Sequence, residues 1–183
     1  MQAPSRLVTE PQVEALLGDR SLAGEWFLDP GKSSIRLQSR SMGLIPVKGV
    51  FREVSGYGLI SADGRVSGTV TVAAASVDTK NTKRDNHLRS ADFFDSANSP
   101  DIVFTAAGLR PSGQGLEVAG TLTVRDRTRP LTFNATASVL DDGEVWLDAE
   151  VGINRADYGL TWNSLGMVSM HNTLTIHAVF IRR

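Results

Sequence analysis

Apolar and polar positions alternate with a period of two over most of the chain from Trp26 onward. Ile35 and Leu37 alternate with Arg36 and Gln38, and Val66, Val70 and Val72 with Ser67, Thr69 and Thr71. Leu116, Val118, Leu122 and Val124 share one parity, as do Leu131, Phe133 and Val139. Val145, Leu147, Val151 and Ile153 follow, and then Leu174, Ile176 and Phe180. Such alternation marks half-buried strands. The separators carry turn chemistry: Asp29-Pro30-Gly31, Ala62-Asp63-Gly64, Ser112-Gly113-Gln114-Gly115 and Asp141-Asp142-Gly143. Two of them hold the Asp-Gly hairpin signal. The pattern predicts about eight antiparallel strands, mostly joined by hairpins, in an all-β up-and-down barrel or sandwich.

Two stretches break the alternation. Thr9-Glu10-Pro11-Gln12 opens a short helix, with Thr9 as cap, Pro11 in the first turn and an apolar stripe of Val13, Leu16 and Leu17. Residues 1–24 are therefore expected to form an appended helical extension, and 25–183 the main domain. The second stretch, Thr82 to Pro100, holds the densest group of ionisable side chains: Lys83, Arg84, Asp85, His87, Arg89, Asp92 and Asp95. A helix is expected near 82–91, capped by Thr82, with Leu88, Ala91 and Phe94 on its apolar side. It serves either as a cover over an open sheet end or as the gate of a cavity.

Small residues recur at positions of inward parity: Gly68, Ala74, Ala106, Gly120, Ala135, Ala137, Ala149 and Ala178. An eight-stranded barrel has room inside for side chains or one slender ligand. Small inward residues either match the barrel's taper or leave a hollow.

Composition narrows the function. The 183 residues include no cysteine, which removes a disulfide scaffold, a thiol nucleophile and a thiolate metal site. A formal net charge of −1 and sparse aromatics argue against a broad nucleic-acid surface. The first residues read as neither a secretory signal nor a membrane span, so a cytoplasmic location is expected.

Taken in order, WFLDPGKSS (26–34), PVKGVF (46–51), SVDT (76–79), RDNHL (84–88), DFFD (92–95), PDIVF (100–104), GTLTVRDRTRP (120–130) and NRADYGLTWN (154–163) resemble the YceI-like, polyisoprenoid-binding family. The resemblance covers roughly Trp26 to Arg183. It implies an eight-stranded, lipocalin-like antiparallel barrel whose apolar tunnel holds a long isoprenoid tail, with polar groups near the head. It also implies a binding protein without catalytic activity, and a homodimer as resembling proteins suggest. Two positions depart from the family pattern: Ser41 stands where a histidine usually precedes Met42-Gly43, and Asp126 where a glycine is usual.

Arg84, Asp85 and His87 form the chemical candidate. A guanidinium pairs bidentately with phosphate oxygens and a neutral imidazole donates or accepts, which suits a lipid head. They serve equally as ties between helix and strands. Arg155 and Asp157 share a parity and are expected to ion-pair with Asp85 or Arg84 across the barrel mouth. Phe93, Phe94 and Trp162 either pinch a tunnel or fill core, and Ala135 and Ala149 mark its wall. Arg125, Arg127 and Arg129 make a cationic hairpin corner, read as a solvated turn or a contact for anionic heads. His87, His171 and His177 lack metal-ligand spacing, so no metal and no cofactor are expected. The function expected is non-catalytic binding, sequestration or transport of a long-chain isoprenoid or quinone-like lipid, with transient membrane contact. The competing readings are a small barrel enzyme using Arg84, Asp85 and His87, and a packed-barrel protein-interaction module.

Overall fold

The computed structural model describes residues 18, 20–42, 44–113, 115–140 and 143–182. The expected N-terminal helix at Thr9 to Leu17 lies outside them. Among the described residues eleven strands are formed: β1 (Gly24–Leu28), β2 (Ser34–Ser41), β3 (Ile45–Phe51), β4 (Val54–Ile60), β5 (Val66–Ala73), β6 (Val77–Asp78), β7 (Asp101–Ser112), β8 (Gly115–Val124), β9 (Arg127–Val139), β10 (Val145–Asn154) and β11 (His171–Ile181). Between β6 and β7 lies the α-helix α1 (Thr82–Arg89).

These eleven segments occupy only eight positions around a closed antiparallel barrel. β1 and β2 both pair with β11, one after the other: Leu28 opposes Phe180 and Ile35 opposes Ile176. β3 pairs with β2 and β4 with β1. β5 then pairs with β4 and β6 with β3. Each couple is thus one barrel strand broken in the middle. β7 to β10 complete the ring by neighbouring hairpins, and β11 closes it on β1 and β2.

The three breaks fall side by side. The carbonyl of Glu53 accepts from the Ala73 N–H at 3.0 Å, and the carbonyl of Ser76 from the Arg52 N–H at 3.1 Å, so the two inner breaks are adjacent. Asp29-Pro30-Gly31 therefore does not reverse the chain, as a hairpin turn would. Residues 29–33 loop outward over β11, where the Asp29 N–H donates to the Val179 carbonyl and the Ser33 hydroxyl accepts from the Val179 N–H. That cover leaves Val179 fully buried on the barrel's outside. Together the breaks crease the wall, and the β2–β3 hairpin continues past the crease.

The tightly packed core lies at and beyond this crease. Val77 and Ala74 are fully buried, and Phe51 meets Phe94 edge to face at 5.8 Å. At the opposite end, Trp26 plugs the barrel and its indole Nε1–H donates to the Leu22 carbonyl at 2.9 Å.

Candidate ligand-binding site

Within the barrel lies a cavity of about 820 Å³, inside the roughly 300–1,000 Å³ range of ligand pockets. Its wall takes alternate residues from the strands, and on β10 these run from Val145 through Leu147, Ala149 and Val151 to Ile153. That stretch is roughly 26 Å of extended chain. Leu37, Val70, Phe104, Leu131, Leu147 and Ile176 face inward yet are only partly buried, because the surface they keep is the surface of the hollow.

The small residues make that room. Gly68, Ala106, Ala135, Ala137, Ala149 and Ala178 all line the cavity, and Ala135 stands directly opposite Ala149. Ala74 and Gly120 do not line it. Ala74 is packed into the crease. Gly120 yields its side-chain space to the Phe104 ring, which a Cβ there would meet at 2.8 Å.

The mouth is built by residues 79–100, the β8–β9 turn and residues 155–170. α1 begins at Asn81, whose side chain accepts from the Arg84 N–H at 3.0 Å. Asn81 is thus the cap, not Thr82. Arg89 fastens the helix to the crease by donating from Nε to Ala75 and from Nη2 to Val77 carbonyls at 2.7 and 2.8 Å. The helix stops at Arg89, two residues sooner than expected, and Ala91 is exposed while Phe93 and Phe94 turn into the barrel from irregular chain.

Thr79 is the hub of the polar wall. Its N–H and hydroxyl donate to the buried Asp85 carboxylate at 2.9 and 2.5 Å. Its hydroxyl and carbonyl oxygens accept from Arg84 at 2.7 and 2.9 Å. Arg84 is thereby held on the cavity wall with its charge balanced only at one remove. His87 pairs through Nε2 with Asp92 at 3.0 Å and stacks edge-on to Trp162 and Phe93, at 4.4 and 5.1 Å between centroids. These three rings form the lintel of the mouth.

Arg155 is buried behind them, 5.5 Å from the Phe93 ring centroid. Its guanidinium donates to the carbonyls of Ser169 at 3.0 Å, Leu160 and Val168. Burial pulls it below its ordinary pKa, and burial likewise pushes the Tyr158 phenol up. The expected ion pairs are therefore not formed. Asp85 bonds Thr79, Arg155 bonds backbone, and Asp157 is exposed and offers only its carbonyl, to Arg129 Nε at 3.2 Å. The carbonyls of the 155–170 loop satisfy Arg155 locally, which a parity argument between carboxylates and cations does not foresee. Asp85 and His87, joined in the enzyme reading, face different partners, Thr79 and Asp92.

Arg84, His87, Phe93, Phe94, Ala135, Ala149 and Trp162 all line the cavity, as does Arg155, whereas Asp85 and Asp157 do not. The arginine corner is not merely a solvated turn. Arg125 takes a left-handed φ of 57° in the two-residue turn and donates to the carbonyls of Ala91 and Phe93, each at 3.3 Å. It thus braces the segment bearing the two phenylalanines.

Ser39 was not singled out by the sequence reading. It shares the inward parity of Ile35 and Leu37, and its hydroxyl is buried on the cavity wall with no hydrogen-bond partner among the described residues. A polar residue on an apolar parity was the available signal.

The YceI-like domain family model matches residues 26–180. The chain belongs to the YceI-like family. Protein YceI of Escherichia coli O6:H1 is 44% identical over 66 residues, covering 36% of this chain and 35% of that protein. Protein YceI of Salmonella arizonae is 34% identical over 113 residues, 58% of each. The matches thus span about a third to somewhat over half the length of these curated relatives. Among solved structures, Burkholderia cenocepacia BcnA superposes with a TM-score of 0.76 at 21% identity, covering 83% of this chain and 98% of its own. A polyisoprenoid binding domain from Saccharophagus degradans, described as implicated in plant cell wall breakdown, gives 0.71 at 16% identity over 86% and 98%. The YceI protein of Campylobacter jejuni gives 0.61 at 26% identity over 75% and 86%. The YceI-like fold is thus the closed barrel described above.

Proposed function

We propose that this YceI-like protein binds one long-tailed lipid, an isoprenoid or quinone-like molecule, and sequesters or carries it without chemical change. The observation that carries the reading is the cavity: about 820 Å³, apolar along its length, with its cationic lining residues Lys83, Arg84 and Arg155 all at the α1 end. The polyisoprenoid-binding description of the Saccharophagus degradans domain supports the same class of ligand. In this reading the tail lies along the barrel and the head rests under the aromatic lintel. Arg84 and the Ser39 hydroxyl are its polar partners there.

Tail burial supplies the affinity. At ~0.8 kcal/mol per buried carbon, a further five-carbon unit adds at most about 4 kcal/mol. Binding therefore strengthens with tail length and levels off once the hollow is full. The test is native mass spectrometry and organic extraction of the purified protein, followed by titration with isoprenoid alcohols of several lengths. Ala135→Trp and Ala149→Trp should each set an indole into the hollow that these residues line, and should abolish binding of the longer alcohols. Folded tryptophan variants that bind them normally overturn the assignment.

A further inference from the structure

Among the described residues, four apolar side chains stand exposed at the α1 end: Leu44 at 87%, Met42 at 61%, Ile45 at 54% and Met167 at 37%. They come from two segments that are locked together. The Met42 N–H donates to the Met167 carbonyl at 2.5 Å, the Ser169 N–H donates to the Arg40 carbonyl at 2.9 Å, and Ser41 bridges Val168. The result is one ledge made of the β2–β3 tip and the 164–170 loop. It continues directly into the cavity, since Ser41, Ile45, Val47 and Val168 line the hollow.

The charge around the ledge is one-sided. From Arg36 to Arg52 the chain has four cations and no carboxylate, and from Tyr158 to Arg183 it has no carboxylate at all. Arg36, Arg40 and Lys48 are exposed on the outer face of the same hairpin. Of the carboxylates on other elements of the mouth, Asp92 pairs with His87, Asp95 faces Arg125, Asp78 pairs with Arg52 and Lys80, and Asp85 is bonded by Thr79, while Asp126 is exposed in the β8–β9 turn. Asp157 sits beside Arg129.

We propose that this ledge docks on an anionic lipid bilayer, with Met42, Leu44, Ile45 and Met167 inserted among the headgroups and Arg40 and Lys48 lying against them. Apolar side chains backed by basic residues are the composition that holds a protein at such an interface. A second copy of the chain fits less well. A two-fold contact through this face would set the cations of one hairpin against their own copies. The docked pose points the cavity mouth at the membrane. The purpose of docking rests on the lipid-binding reading, but its test does not.

The full chain is floated with vesicles of phosphatidylcholine alone and of an equal mixture with phosphatidylglycerol. Binding is expected to the mixed vesicles only, and to weaken as salt rises. Leu44→Glu, and separately Arg40→Ser with Lys48→Ser, should each reduce it by about tenfold or more. Leu59→Glu, at an exposed apolar site on the other end of the barrel, should leave it unchanged. Ala135→Trp should still float while failing to take up the tail, which separates docking from the cavity. No flotation with mixed vesicles, equal flotation of Leu44→Glu, or an ultracentrifuge dimer that Leu44→Glu dissociates would overturn the proposal.

Discussion

Arg155 spends its guanidinium on three backbone carbonyls of a single loop, with no carboxylate beside it among the described residues. Its role is to fold residues 155–170 over the mouth. Arg155→Met keeps the length and removes the donors, so buried carbonyls lose their partners. A loss of about 3 kcal/mol is expected in urea unfolding. Glu144 shows the opposite economy at the barrel's far end. Lys32 and then the Trp146 indole donate to its carboxylate and hold it below the ordinary carboxylate range. A depressed folded-state pKa gives stability that is present above the unfolded value and lost as pH falls through the folded one. The advantage of the wild type over Glu144→Gln should accordingly be full above about pH 5 and shrink below about pH 4 in thermal melts. An advantage that grows in acid would contradict this. Such pairings are poorly legible in sequence. Lys32 and Glu144 are 112 residues apart, and Arg155 reads as an ion-pairing residue until its loop is seen.

At the scale of elements, the cap of α1 offers a discriminating experiment. The Asn81 side chain accepts from the free Arg84 amide, the third of the helix, while Thr82 already lies inside the helix. Asn81→Ala should cost about 1 kcal/mol and Thr82→Ala much less, measured by chemical denaturation. The reverse order would restore the cap expected from sequence. Strand identity was readable because period-two alternation and Asp-Gly turns are local signals. Gly64 and Gly143 indeed take positive φ, at 81° and 84°. What alternation does not encode is continuity. A turn signal such as Asp29-Pro30-Gly31 looks the same whether the chain reverses or bulges outward and resumes on the same partner. The apolar stripe expected on α1 failed for a related reason. Phe93 and Phe94 are buried because irregular chain beyond the helix turns inward, braced by Arg125, and no helical period governs them.

For the whole molecule, the hollow was legible as small residues on an inward parity, and six of the eight positions do line it. Its extent was not, since volume depends on how a crease and a covering loop set the wall. If the barrel holds a tail, a saturating lipid should raise the unfolding temperature by linkage, worth about 2.7 kcal/mol at a hundredfold excess over Kd. Ala135→Trp should show no such rise with the longer alcohols in differential scanning calorimetry. β11 pairs with β10 on one side and with both β1 and β2 on the other, so the strand that shuts the ring is the last of them made on the ribosome. Until Ile181 has emerged, no nascent chain can close, and ten strands carry their apolar faces in the open. Closure is therefore a late event, and the growing polypeptide is a natural client for chaperones that shield sheet edges.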